Sequence, residues 1–289
     1  IMKFLISSVI PAIIISVSIA ACTANYNTDN NQSPISPEDP EVTDTQQIKG
    51  RVIEDTIIGH WSIKTSKDSN DVIVSTDYYT VRDSSVFLTL SYDHNVVYSD
   101  KEIRTKDVVG NEGEFIMQSG GYVFWASDSA IYLSFGCYIP DSDFGWNMLY
   151  QILPDGTSAL SVIQEEMGID GFDVIAQFMP LYLNERAVGA SVADMNRLYE
   201  HYCTKEIAEE LSAGTIRIAS DDTDFRHADR TTRIDNLDDL NDLPLEKYSF
   251  KVEFKPNPKD ENITDILYME VDYPSNKISK IDGGFRKVI

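Results

Sequence analysis

The sequence predicts an α+β protein, with an N-terminal antiparallel β module followed by a module in which a helix packs on a second antiparallel sheet. Three stretches carry this. Val86, Leu88, Leu90 and Tyr92 alternate with Phe87, Thr89 and Ser91, the period-two pattern of a half-buried strand. Met195, Leu198, Tyr199, Tyr202, Cys203, Ile207 and Leu211 recur at helical spacing. Tyr248, Phe250, Val252 and Phe254 then alternate with Ser249, Lys251, Glu253 and Lys255, a second strand signal. Strands and helices segregated along the chain point to α+β rather than to alternating βαβ units.

Ahead of both modules, residues 1–21 have the character of a signal peptide. Lys3 supplies a positive charge, Phe4 to Ile19 is almost wholly apolar, and small residues close the run. The apolar stretch is short for a membrane span and is interrupted by Pro11. Ile19-Ala20-Ala21-Cys22 resembles the bacterial lipobox, Leu/Ile/Val-x-Ala/Gly-Cys. That resemblance implies that Cys22 becomes the mature N-terminus, carries acyl chains such as palmitate, and anchors the protein to a lipid membrane of the cell envelope. The outer membrane is the expected address, facing the periplasm or the surface. Acyl chains gain about 0.8 kcal/mol per buried methylene, so several give stable anchoring without a spanning helix. Residues 22–48 are rich in Asn, Thr, Asp, Ser and Gln and are spaced by Pro34, Pro37 and Pro40, the composition of a disordered tether. Some envelope lipoproteins carry an acidic export signal directly after the Cys, and Thr23-Ala24-Asn25-Tyr26 does not match it.

The chain has 47 acidic against 24 basic residues, a formal net charge of −23. Lys3 is the one charged residue in the signal segment, so its removal leaves −24. Nucleic acid is not expected as a partner, because binding it relies on Lys and Arg neutralising phosphates. Solubility, divalent ions or a cationic protein suit such a surface better. Fifteen Tyr and twelve Phe provide the apolar mass for a core. Of three Cys, Cys137 shares a strand face with Ile131, Leu133 and Phe135, and Cys203 lies on the helical stripe. Both are expected in the core, as free thiols or as a bridge that an oxidising envelope would permit.

Over residues 49–156, β-branched and aromatic runs at 72–81, 122–125 and 131–138 are punctuated by Gly120-Gly121, Asp141-Ser142-Asp143 and Pro154-Asp155-Gly156. Close spacing with no helix between predicts an antiparallel meander, barrel or sandwich. Gly59-His60-Trp61 resembles the Gly-x-Trp opening of lipocalin-like barrels, in which Trp61 would plug a ligand-carrying barrel. Residues 157–188 predict a helical connector. Leu160, Ile163 and Met167 mark one short helix, Phe172, Ile175, Ala176 and Met179 a second, and Pro180 stops it. Over residues 189–289, Ser191-Val192-Ala193-Asp194 resembles a capping box with Asp in place of Glu, opening one helix that Gly214 ends. Leu267, Met269, Val271 and Tyr273 form a further strand, and a third lies near 278–281. The Tyr-rich helix, the acidic loop Asp221-Asp222-Thr223-Asp224-Phe225 with Asp229, and the closing hairpin resemble small secreted bacterial domains of cystatin-like, nuclear-transport-factor-like fold. That family implies a fold and no established activity.

The usual catalytic signatures are missing from the sequence. There is no Gly-x-Ser-x-Gly, His-Glu-x-x-His, phosphate-binding glycine loop or Cys-x-x-Cys, and the four His are scattered. No catalytic residue, cofactor or metal is expected, and the expected role is non-catalytic binding or structure. The alternatives are a lipocalin-like carrier and an acidic inhibitor or immunity-type protein that captures a cationic enzyme. The densest polar stretch is Asp221, Asp222, Asp224 and Asp229, a candidate cation or partner-binding loop. Hard oxygen ligands suit Ca²⁺, but Arg226 stands where an EF-hand loop needs a ligand, and its glycine is missing. Asp55-Thr56-Ile57 and Asp128-Ser129-Ala130 resemble the Asp-Ser/Thr-aliphatic acceptor for O-glycosylation in some Bacteroidota envelope proteins.

Overall fold

The computed structural model describes residues 50–110, 114–142, 144–163, 171–216, 218, 230–233, 247–254 and 263–288. The first sheet is a meander of β1 (Arg51–Ile58), β2 (Trp61–Ser75), β3 (Thr80–Tyr92) and β4 (Asn95–Ile103), in that spatial order. Its turns follow from local chemistry. Gly59 takes φ +57° between β1 and β2, and Asp93 and His94 take φ +47° and +67° between β3 and β4. Two successive left-handed residues make the mirror-image turn whose twist matches that of antiparallel strands. A short helix, α1 (Thr105–Val109), leads into the second sheet and corrects the expectation of strands alone. It is tied down by buried Asp83, whose carboxylate accepts from the Thr105 hydroxyl at 2.7 Å and the Met117 amide at 2.8 Å.

The second sheet is also a meander, of β5 (Ile116–Ala126), β6 (Ile131–Tyr138), β7 (Gly145–Ile152) and β8 (Ser158–Ile163). The two sheets share no strand pairing, so they form a sandwich and not a barrel. Trp61, Ile63, Val86, Leu88 and Leu90 meet Ile131, Leu133, Phe135, Cys137 and Ile152 between them. Each large side chain so enclosed contributes about 2 kcal/mol. β5 approaches the first sheet closely at Gly121, with φ +82°, where a Cβ would stand 2.9 Å from Val86 Cγ1. Sheet-one side chains satisfy the backbone there. Thr65 donates to Gly121 O at 2.8 Å, and Lys67 donates to Met117 O at 2.9 Å and Gln118 O at 2.8 Å. The edge of β5 is thereby covered over this stretch.

β8 corrects the helical reading over residues 158–163; Met167, which the same reading placed on that helix, lies outside the described residues. Pairing with β7, from Ser158 opposite Ile152 to Ile163 opposite Asn147, takes this stretch into the sheet. Leu160 and Val162 pack on the sandwich core, whereas Ile163 joins the core on the other side. A strand with apolar residues on both faces loses the alternation that would identify it.

The other side of the second sheet is covered by helices α2 (Phe172–Ala187) and α3 (Val192–Tyr202), and α4 (Lys205–Ser212) packs on α3. α2 is buried nearly all round, with Phe172, Ile175, Phe178, Met179, Leu181 and Leu183 among its enclosed side chains. It runs through Pro180, where the sequence predicts a stop. An internal proline costs about 3 kcal/mol, and burial on several sides offsets that. The predicted single helix from Ser191 to Gly214 is two. Ser191 caps α3 by accepting from Asp194 N at 3.1 Å, the serine half of the capping box, while the Asp194 carboxylate accepts from Ser191 Oγ. Cys203 then turns extended, pairs with Ile278, and lets Thr204 N donate to Ile278 O at 2.8 Å.

Ile278 belongs to the third sheet, ordered β12 (Lys277–Val288), β11 (Ile263–Asp272), β10 (Lys247–Phe254), β9 (Arg230–Arg233), all antiparallel. Tyr248, Phe250, Val252, Leu267, Met269 and Val271 face the helices in one core. Among the described residues no helix is long and apolar enough to cross a membrane.

Cys137 and Cys203 are both free and buried, in the two separate cores. Burial pushes each thiol up to about 12. A thiol reagent should therefore modify neither in the native protein and both after denaturation without reductant. Rapid native labelling, or failure to label the denatured chain, would show this placement to be wrong.

Candidate binding groove

The turn Ser127–Ala130, between β5 and β6, is the point at which sheet one, sheet two and the helices meet. It is closed by its own serine. Ser127 N donates to Ala130 O at 2.8 Å, and Ser127 Oγ accepts from Ser129 N and Ala130 N at 3.2 and 3.0 Å. From sheet one, Trp61 Nε1 donates to Ser127 O at 2.7 Å. Trp61 is thus a core residue of the sandwich and not a plug in a ligand barrel. From α3, buried Asp194 accepts from Asp128 N at 3.2 Å, from Ser191 Oγ at 2.9 Å and from Arg197 at 2.9 Å. At the rim, His60 Nδ1 lies 2.6 Å from Asp93 Oδ1, and that hydrogen bond raises the imidazole pKa.

Beside this turn β5 leaves the cover of sheet one, and a groove of about 670 Å³ opens between β1, β5 and α3. Glu54, Thr56 and Ile58 form one wall, alternate residues on one face of β1. Four consecutive residues of β5, Val123–Ala126, form the floor, so the strand presents its unpaired edge there. Arg197, Glu200 and His201 come from α3. Arg197 and His201 are one helical turn apart and both cover Trp125. The guanidinium carbon lies 5.0 Å from a Trp125 ring centroid and the imidazole centroid 5.7 Å away. Arg197 also donates to Ala126 O, capping the strand edge. The Trp125 indole N–H is buried with no hydrogen-bond partner among the described residues. Burial raises the Glu54 pKa, and burial together with nearby Lys277 lowers that of His201.

Behind the turn lies fully buried Glu185, on the face of α2 turned to β6. Neither carboxylate oxygen makes a hydrogen bond of ordinary geometry. Burial pushes the carboxyl up to about 7 and the Asp194 charge adds to this, while the Ser127 and Tyr132 hydroxyls and Arg197 favour the charged form. Around it Gln151 donates to the Tyr132 hydroxyl at 2.8 Å and Asn184 to Ser161 Oγ at 2.9 Å. A second hollow, of about 530 Å³, opens beyond Gln151, Asn184 and Ser129. Among the described residues no three His, Cys, Asp or Glu side chains converge as metal ligands would.

Of the residues singled out in the sequence, Cys22 and the loop carboxylates Asp221, Asp222, Asp224 and Asp229 lie outside the described residues. Thr56 and Ser129 of the two acceptor-like triplets are half-buried, lining the groove and the second hollow respectively. Sequence reasoning missed Trp125, Arg197 and Glu185. Glu185 had a signal: it follows Phe178, Leu181 and Tyr182 at helical spacing, a charge on an apolar stripe. Ending that helix at Pro180 hid it. No protein-family model matches the chain, and no curated protein matches it significantly.

Glu185 makes stability depend on pH. Its folded-state pKa of about 7 exceeds the ordinary 4.5, so its stabilising contribution is complete below pH 4.5 and is lost as pH rises to about 7. Relative to wild type, Glu185→Gln should therefore gain stability between pH 4 and pH 8, on the order of 3 kcal/mol. Denaturant melts of both proteins at the two pH values test this. A difference that does not change with pH would show that Glu185 ionises freely in the folded protein.

Proposed function

We propose that the protein is a membrane-anchored envelope lipoprotein whose folded part binds a partner without chemistry, and that the groove between β1, β5 and α3 is its binding site. Anchoring is supported by the lipobox-like Ile19-Ala20-Ala21-Cys22 and the tether-like composition that follows. The binding reading is carried by the groove floor, where Trp125 sits under Arg197 and His201 with a buried, unpartnered indole N–H. Concave sites that mix apolar walls with a few placed polar groups are where ligands are held. A buried polar group left unpaired is a cost that folds concentrate at functional positions. The packing of α2–α4 on the β9–β12 meander supports the cystatin-like likeness of the C-terminal part, which belongs to the same reading.

Cys22→Ala should move the protein from the membrane fraction to the soluble envelope fraction. Retention of the variant in washed membranes would overturn the anchoring. For the groove, a photo-crosslinking residue in place of Phe124 should give a discrete adduct in intact envelopes, and the same residue in place of Tyr78, on the exposed β2–β3 turn, should not. No adduct at 124, or equal adducts at both positions, would remove the groove from the proposal.

A further inference from the structure

We infer that the groove accepts a Lys or Arg side chain from a basic, extended segment of a partner protein; this rests on the binding reading above and names the chemistry of the partner. Glu54 on β1 and Glu200 on α3 line the groove from opposite elements, and neither has an ion-pair partner among the described residues. Among the described residues lining the groove the cation is Arg197, which is committed to Asp194 and to Ala126 O, and Lys277 at the end of α3 is held by the main-chain carbonyls of Glu200 and His201. Burial and nearby Lys277 lower the His201 pKa, which disfavours its charged form. Two carboxylates thus face a space whose own cation is neutralised, and a cation from outside completes the set.

The shape of the lining agrees with a long cationic side chain. Phe124 offers an aromatic ring to an ammonium or guanidinium group beside the Trp125 that Arg197 and His201 cover, and Ile58 and Val123 offer apolar surface to its methylene stem. Main-chain pairing with the partner is restricted. The register of β5 shifts between Val123 and Trp125, and Arg197 already caps Ala126 O. A bulged edge cannot carry a regular added strand, which leaves side chains as the main determinant. The net charge of −23 draws a basic partner from a distance, and the groove then provides the local match.

The test uses the full-length protein in detergent micelles and a labelled short peptide of alternating Lys and Val, followed by fluorescence anisotropy. The peptide should bind saturably and about tenfold more tightly than its counterpart with Gln in place of Lys. Glu54→Gln/Glu200→Gln should weaken it about fivefold to tenfold. Asp77→Asn/Glu206→Gln removes the same charge from exposed positions elsewhere and should change binding by less than about twofold. Should the groove variant melt early, Glu200→Lys, at an exposed helix position, carries the same comparison. Equal weakening by both double variants would show that the general field, not the groove, attracts cations. Equal binding of the Gln peptide, or competition by lysine amide as strong as by the peptide, would overturn a protein segment as the occupant. An adduct at position 124 in envelopes without discrimination between the two peptides would leave the groove as a binding site and reject the cationic class.

Discussion

The Trp61 indole donates to Ser127 O at 2.7 Å in a place that both sheets shield from water, and the surrounding turn ties together elements far apart in sequence. A hydrogen bond made there is not exchanged with solvent, and leaving either partner unpaired would cost about 1–3 kcal/mol. Ser127 Oγ closes the turn, Asp128 N reaches Asp194 on α3, and Ala130 leads into a strand enclosed on both faces. Ile131, Leu133, Phe135 and Cys137 of β6 face the sandwich, and Tyr132 faces the helices. One strand therefore serves two cores, and the turn sets where it begins.

The helical layer is placed by the same logic and at a cost. α2 lies between sheet two and the third sheet and is apolar on nearly every side, yet carries Asn184 and Glu185 inward. Asn184 is satisfied by Ser161, while Glu185 is not. A carboxyl held near its titration point inside a packed interface weakens the fold at neutral pH. Arg197 stands between this buried cluster and the surface, held by Asp194 and Ala126 O with its guanidinium over Trp125. The groove wall is thus positioned by the helix–sheet joint rather than by a loop, which gives a binding surface the rigidity that side-chain recognition needs.

Much of the architecture was legible in the sequence, and the misses share one cause. The strands around 86–92, 248–253 and 267–271 each have one more exposed face, so they alternate, and alternation survives in a linear reading. The Ser191 cap is equally local, because the serine hydroxyl and the Asp194 amide are three residues apart. β8 and α2 are enclosed on more than one side, and there periodicity disappears: β8 imitates a helix, and α2 reads as ending at Pro180 because the packing that offsets proline's penalty is not written in its own residues. The break at Cys203 comes with a hydrogen bond from Thr204 N to Ile278 O, 74 positions further along the numbering.

For function the division is sharper. The sequence by itself determined the acidic charge, the lipobox-like Cys22 motif, the strand face of Cys137 and the α+β class, since each is a property of composition, a short motif or a local period. The tertiary structure decided that Cys137 and Cys203 lie in different cores, that Trp61 belongs to a sandwich, and that Glu54, Trp125, Arg197 and His201 share one groove. Those four residues come from β1, β5 and α3, and apart from Arg197 and His201, four apart on one helix, none of them predicts another by spacing. Only the docking of α3 on the β5–β6 turn brings them within reach, because a site built across elements depends on long-range packing that no single stretch of chain encodes.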